Sequence, residues 1–490
     1  MMRSSHVKKN LSIIIFSLIA VLVWWPQVAG ADDNGEVKSS DLQQFKTDDA
    51  EQKDQTYIEK IKGCFFGDLR VLTYGVAQQY AKSDQNPNNN FVQFPHYSAN
   101  LEIRPDLRLD LNYLELSAKP RAKFDFQIWE EGERSGETKW GNYWYVNEWL
   151  VRLKAWDKIF VSYGRENLQW GPSFLFSPSN PFFSDNGRSN PYLEIPGMDF
   201  GRLVFIPHNS WTMSFIINTD EGRNTLLGLD PFEKTYAVKI DYTGNKSYAS
   251  VILSKKDDKE TLGYFGGWTV ADAILLYSEG SFTKGKKALY PVSDVSLLRL
   301  ALQRMLPDNP EIKSVIDNYV SLLGASLERI YPEDSEIYPV LLVGGSYTFE
   351  GAGTITLEYA YNGLGYNSQE TDRYYRIRGI AALAFDMGGI PGLLGQYVLL
   401  QAANSGLKFL RKNYAMLQYY QSDIKKIFDL TLRWTQNLDD SSGQFLALLS
   451  CSLGNHWELF SSGVINAGGN YTEFGTFIDY QVMFGLKFTF

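Results

Sequence analysis

The residues in this chain whose types and spacing could do chemistry are charged side chains set at every second position. Between Leu101 and Tyr113, Glu102, Arg104, Asp106, Arg108 and Asp110 fill one parity, while Leu101, Ile103, Leu107, Leu109, Leu111 and Tyr113 fill the other. Lys123 and Asp125 alternate with Phe124 and Phe126, Arg152 and Lys154 with Val151 and Leu153, and Asp429 and Arg433 with Leu430 and Leu432. A period of two puts the charges on one face of a strand and the apolar residues on the other. The chemistry open to such a wall is electrostatic. Rings of charge select solutes by sign, or the charges pair across strands and only keep the face wet. The early cluster Arg104, Arg108, Lys123, Arg152, Lys154 and Arg202 points to anionic solutes or a polyanionic polysaccharide. Glu166, Asp185, Glu194 and Asp199 carry the opposite sign on or near the long segment that follows Tyr163.

Catalysis finds no comparable pattern. There is no GxSxG, HExxH, P-loop or dinucleotide fingerprint in a strand–helix context. The four histidines (His6, His96, His208 and His456) are scattered, and the two cysteines, Cys64 and Cys451, are too few for a disulfide framework or a metal cluster. No enzyme, metal or cofactor is expected. A net charge of −9 argues against a nucleic-acid partner.

The elements that must position these charges are strands. In the last one Ile478, Tyr480, Val482, Phe484, Leu486, Phe488 and the terminal Phe490 are apolar, and Asp479, Gln481, Gly485, Lys487 and Thr489 lie between them. The alternation runs to the final residue. The chain is 15% aromatic, with 12 Trp and 30 Tyr, yet its mean hydropathy is only −0.25. That combination suits a transmembrane barrel with a polar lumen and aromatic girdles. Residues 1–31 read as a signal peptide: Arg3, Lys8 and Lys9 precede an apolar run from Leu11 to Trp25, and Ala29-Gly30-Ala31 is a small-x-small cleavage site. Residues 32–63 read as a polar periplasmic lead-in. Nothing later is a long uncharged apolar helix, so a membrane form must be a closed barrel.

From Cys64 to Phe490 short turns alternate with longer polar connections. Trp156-Asp157-Lys158 and Thr243-Gly244-Asn245-Lys246 have hairpin chemistry, and the longer connections include Glu130 to Trp140, Asp220 to Lys234 and Lys255 to Gly267. The count gives about 18 antiparallel up-and-down strands (16–18), with both termini on the tight-turn side. Pro105 is expected to disturb its ladder. Insertions fall at about 171–200, 284–336 and 363–412. In the second, Val295, Leu298, Leu302 and Met305 have helical spacing, and Pro307 and Pro310 divide it into two helices; in the third a helix is expected from Pro391 to about Asn404. These segments either cap the long-loop end, plug the lumen or merely decorate loops.

The most distinctive stretch is Tyr163-Gly164-Arg165-Glu166-Asn167-Leu168-Gln169-Trp170-Gly171-Pro172, followed by Asn180-Pro181-Phe182-Phe183 and Glu194-Ile195-Pro196-Gly197-Met198-Asp199. It resembles Gram-negative outer-membrane β-barrels of the porin, alginate-export and capsule-assembly types. In those a strand ending in G-R-x-x-x-x-W-G opens a long loop. Ser173-Phe174-Leu175-Phe176 departs from the capsule-assembly version. The terminal strand likewise resembles the C-terminal signal read by the barrel-assembly machinery, with Phe490 as its last residue. The resemblance implies a loop folded inward to narrow the pore, which brings Trp170, Asp185, Arg188, Glu194 and Asp199 to a constriction. Arg104, Arg108, Lys123, Arg152, Lys154, Glu166, Arg202, Asp429 and Arg433 would then line the lumen. The expectation is a porin-like channel in the outer membrane for small or polyanionic solutes, in contact with membrane lipid. A plugged polysaccharide-binding barrel and a soluble secreted β-protein are the alternatives.

Overall fold

The computed structural model describes residues 64–185, 187–188, 190–223, 232–257, 259–330 and 335–490. The expected signal peptide and lead-in lie outside the described residues. The strand order begins with β1 (Phe65–Tyr80), β2 (Tyr97–Asp110), β3 (Leu114–Ile128), β4 (Thr138–Ala155), β5 (Ile159–Glu166) and β6 (Met198–His208). It continues with β7 (Trp211–Asp220), β8 (Thr235–Thr243), β9 (Ser247–Lys256), β10 (Lys259–Ala271) and β11 (Ile274–Lys284). A small hairpin, β12 (Leu289–Val292) and β13 (Ser326–Arg329), then interrupts the wall. The wall resumes with β14 (Ile337–Thr348), β15 (Gly353–Asn362), β16 (Asn413–Ile424) and β17 (Phe428–Asn437). It ends with β18 (Gly443–Leu453), β19 (Trp457–Ala467) and β20 (Ile478–Thr489).

Eighteen of these strands form one antiparallel sheet. The sheet closes on itself because β1 pairs with β20 from Arg70↔Thr489 to Tyr80↔Ile478. Closure leaves no unpaired strand edge, which is what a wall in hydrocarbon requires. In β20 the predicted parity holds: Tyr480, Val482 and Phe484 are exposed on the outside, while Met483 is buried and Lys487 reaches Glu458 within. Trp140 and Trp144 near one end of the wall, and Tyr113 and Trp156 near the other, are each more than 70% exposed, as interface aromatics are. Among the described residues no helix is long and apolar enough to cross a membrane; the crossing is made by strands. An outer face this apolar excludes the soluble alternative.

Tight turns occupy one end. The turn after β4 has three residues between Ala155 and Ile159, and in it Trp156 and Asp157 both take left-handed backbone angles, φ 50° and 54°. One expected long connection is overturned. Lys255 to Gly267 is no loop: β9 runs to Lys256, β10 starts at Lys259, and the pairing continues from Lys256↔Lys259 to Ser247↔Trp268. The run Lys255 to Glu260 looks loop-like because it is charged throughout; Lys255, Lys256, Asp257 and Glu260 are exposed at the barrel rim, while Lys259 is buried.

Pro105 acts on one side only. Its strand pairs continuously with β1, but pairing with β3 stops between Ile103↔Ala122 and Leu107↔Ala118, where β3 bulges at Lys119/Pro120. Arg121 fills the break, its Nη1 donating to the carbonyls of Pro105 and Pro120 at 2.8 Å each.

The two late insertions hold four helices: α1 (Ser296–Met305), α2 (Pro310–Leu323), α3 (Ser368–Met387) and α4 (Gly389–Ala403). α2 starts at Asn309, whose side chain accepts from the Glu311 N–H, and ends at Gly324 with φ 61°. α3 begins with a full capping box between Asn367 and Glu370. The helices and the β12–β13 hairpin share one core around Leu302, Val320, Leu323, Ile377 and Leu399. They are tied to barrel connections: Gln85 donates to the Leu399 carbonyl, Arg378 to the Asn470 carbonyl, and Phe91 meets Phe385 edge-on. The layer therefore caps the long-loop end, resting on connections instead of running along the inner wall.

Candidate functional site: the inward loop and the lumen wall

The connection from β5 to β6, residues 167–197, is bonded to the inward-facing parity of strands all round the barrel. Its first half meets two wall carboxylates. Glu279, midway along β11 and fully buried, accepts from the hydroxyls of Ser173 at 2.6 Å, Ser177 at 2.5 Å and Ser179 at 2.7 Å, and from the Ser179 N–H at 3.3 Å. Glu358, midway along β15, accepts from the Phe174 and Leu175 N–H groups at 2.7 and 2.9 Å and from the Tyr277 hydroxyl at 2.7 Å. Tyr277 reaches Glu358 across β14 because residue 344 is glycine; a Cβ there would sit 2.6 Å from the Tyr277 ring.

Gly171 explains the Trp-Gly-Pro stretch. Its φ is +89°, and a Cβ would lie 2.3 Å from the Glu279 carboxylate, so both the backbone angle and the close approach demand glycine. Next to it Trp170 packs edge-on against Phe182. Phe182 and Phe183 press on the inner faces of Phe200, Ile216, Ile252 and Phe265, and Phe176 packs with Leu342, Phe409 and Tyr414. Five prolines and these rings order the loop, and the wall beneath them is apolar to receive it.

The second half spans to the opposite wall. Arg188 donates to the Gly171 carbonyl at 3.1 Å, lies over the Phe174 ring, and offers its own carbonyl to Arg433 at 3.1 Å. Tyr192 stacks on Phe460 of β19 with ring centroids 3.8 Å apart, donates to Glu458 at 2.7 Å, and gives its carbonyl to Arg104. Glu194 forms a two-bond pair with Arg121, 2.7 Å in each arm. Asp185 sits nearer the loop end of the barrel, where Lys408 holds its carboxyl below the ordinary range against the opposing effect of burial.

The charges on the inward parity of the early strands are paired. Arg104 and Lys123 meet Glu102, Arg108 and Arg152 meet Glu115, Lys154 meets Asp110, and Arg202 meets Glu166. Arg433 donates to Gln418 at 2.9 Å. Asp199 is not in the loop: it is the second residue of β6 and pairs with Arg165 on the outward parity at the rim. Residues absent from the sequence-based set are Glu279, Glu358, Arg121, Tyr192 and Glu458. A lone carboxylate or arginine on the inward parity of a wall strand is the signal that marks the first three.

Between the loop and the far wall lies a cavity of about 280 Å³, lined by Arg70, Arg104, Tyr192, Asp429, Glu458 and Lys487 among others. Both signs of charge face it. The groups come from strand ends near the tight turns, so the cavity opens on that side of the loop.

No protein-family model matches the sequence, and no curated protein matches it. Solved structures do match. The chain is similar to Acinetobacter baumannii OccAB1 at a TM-score of 0.50 and 10% identity, over 87% of this chain and 96% of that one. The fold is that of the OprD and Occ porins. Pseudomonas aeruginosa OpdL aligns over 87% and 99% of the two chains at 11% identity and a TM-score of 0.49. The outer membrane protein OprD of the same organism aligns over 87% and 94% at 7% identity and 0.47. Nothing found favours the alginate-export or capsule-assembly resemblance over the porin one.

Proposed function

We propose that this chain is an outer-membrane channel for passive movement of small polar solutes, narrowed by the loop 167–197. The observation that carries the reading is the loop's double anchorage. Glu279, Glu358 and Arg433 hold the loop on the wall from β11 to β17, and Arg121 and Tyr192 hold its second half at β3 and β19. A loop ordered across a lumen sets the size of what passes, and charges beside it set the sign.

Pairing of the wall charges bears on the substrate. Arg104, Arg108, Lys123, Arg152, Lys154 and Arg202 each have a carboxylate within 4.0 Å, so little of their field extends across the lumen. That supports solutes of small net charge over a polyanion. Reconstitution in planar bilayers tests both points. Stepwise conductance with a reversal potential near zero in a potassium chloride gradient is expected. Absence of steps refutes the channel, and strong anion selectivity would restore the polyanion reading. Phe490, 80% exposed at the barrel seam, is the proposed contact for the assembly machinery; its deletion should lower the yield of heat-modifiable barrel in membranes.

A further inference from the structure

The outer face carries a feature that solute passage does not use. Across β6 to β11, a groove of about 1330 Å³ runs along the lipid-facing side of the wall. Its floor begins at Gly201, which presents no side chain, and its sides are the outward-facing Leu203, Phe215, Tyr236, Leu253 and Phe282, all more than a third exposed. The same stretch of wall is filled on its inner face by Phe182, Phe183, Phe200 and Ile252. The wall here is apolar on both sides. Inside, the loop covers it; outside, no part of the described chain does.

The groove is not uniform along its length. At the long-loop end Lys255, next to the last residue of β9, and Lys284, the last residue of β11, line it on the outward parity. Both are exposed, and neither makes an ion pair among the described residues. One acidic residue, Glu260, lines the groove between the two lysines, as register partner of Lys255 and one step beyond the Thr261↔Thr283 pair next to Lys284, so the end of the groove keeps a net positive charge; Ile337 lies opposite Lys284. An apolar trough ending in ammonium groups at the membrane boundary has the polarity of an acidic amphiphile standing upright in one leaflet.

We propose that this groove binds a phosphate-bearing acyl lipid of the leaflet on the long-loop side. Its chains lie in the trough from Gly201 to Phe282, and its phosphate rests on Lys255 and Lys284. A second copy of the chain fits less well. Copies in one membrane share their orientation, so a symmetric contact through this face would set the two lysine belts at the same height, like charge against like.

Native mass spectrometry of the detergent-solubilised full chain, titrated with phosphatidylglycerol and with phosphatidylcholine of identical acyl chains, tests the site. Wild type should retain phosphatidylglycerol in preference to phosphatidylcholine. Lys255→Gln and Lys284→Gln should each cut that preference roughly five-fold. Gly201→Leu, which fills the trough, should displace both lipids. Heat-modifiable migration establishes that each variant is folded. Equal retention of the two lipids, or an unchanged preference in the double lysine variant, would overturn the proposal. So would a wild-type dimer that carries no lipid.

Discussion

Replacing Glu279 should free the first half of the inward loop in a graded way. Hydrogen bonds to a charged acceptor are worth about 1.5–3 kcal/mol each, and a buried donor left without a partner costs a similar amount. Glu279 receives three serine hydroxyls and the Ser173 and Ser179 N–H groups. Two of the hydroxyls have another acceptor, Ser173 at the Phe176 carbonyl and Ser177 at the Trp170 carbonyl. Each holds a single proton and can turn to that carbonyl. Ser179 has no second acceptor among the described residues, so its hydroxyl and N–H, with the Ser173 N–H, bear most of the loss. Glu279→Ala should therefore cost on the order of 3–5 kcal/mol of loop docking, the range seen when one partner of a buried charged contact is removed. Glu279→Gln keeps the volume and one accepting oxygen, and should cost about 1–3 kcal/mol. Glu358 still binds Phe174 and Leu175, so the loop should loosen over residues 171–183 without leaving the lumen. The readouts are single-channel conductance and open-channel noise in planar bilayers, with trypsin cleavage after Arg188 as an independent probe. Conductance, noise and cleavage should rise from wild type to Gln to Ala. If both variants match wild type in all three while migrating as folded barrels, the two-carboxylate anchorage is wrong.

The other expectations concern the far wall and the cap. Arg121→Met strands Glu194 while Asp106 keeps Arg70, and should cost about 3–5 kcal/mol, read as a lower unfolding temperature in detergent together with a shift toward cation selectivity. Tyr192→Ala removes both the stack on Phe460 and the bond to Glu458, and should raise conductance; Tyr192→Phe keeps the stack, loses about 1 kcal/mol, and should leave conductance close to wild type. In the cap, Glu473 joins three connections, accepting from the Leu410 N–H, the Tyr414 hydroxyl and the Asn437 amide. Burial, with Asp440 nearby, pushes its carboxyl up to about 7 against the pull of those donors. A raised value means the folded cap holds this proton more tightly than the unfolded chain does. Its contribution is then full below the ordinary carboxyl range and is lost as pH rises through about 7. Limited proteolysis of residues 468–477 should accelerate between pH 5 and pH 8, and Glu473→Gln should abolish that dependence.

What was legible in the sequence was whatever repeats every two residues. Parity is a local property, so Leu101 to Tyr113 and Ile478 to Phe490 declare their lipid face without knowledge of any partner strand. The same rule failed where charge stood in for structure. Lys255 to Glu260 is a hairpin at the rim, and charged rim residues cannot be told from a loop by composition. The helices divide in the same way. α1 presents Leu298 and Leu302 on one buried side, which gives a clear helical spacing. α3 buries Tyr374, Tyr375, Ile377, Arg378 and Ala381, which point to several sides, and that all-round burial erases the stripe by which a helix is recognised.

The loop shows most clearly why a site is harder to read than a wall. Its stiffness was visible in five prolines and its rings, and Gly171 stood out within Trp-Gly-Pro. Its destination was not visible, because docking depends on Glu279 and Glu358, 100 or more residues away on strands whose other inward residues include the apolar Tyr277 and Ala360. The charges expected to give the lumen its sign turn out to be matched pair by pair. Arg104 meets Glu102 two positions away on its own strand, but Arg202 meets Glu166 on the neighbouring strand and Lys154 meets Asp110 two strands away, and only the register reveals those. Selectivity in such a wall cannot come from counting lysines and arginines. The charges beside the loop are matched too, Arg70 with Asp106 and Lys487 with Glu458, so among the described residues Asp429 is the cavity charge left for a solute to partner.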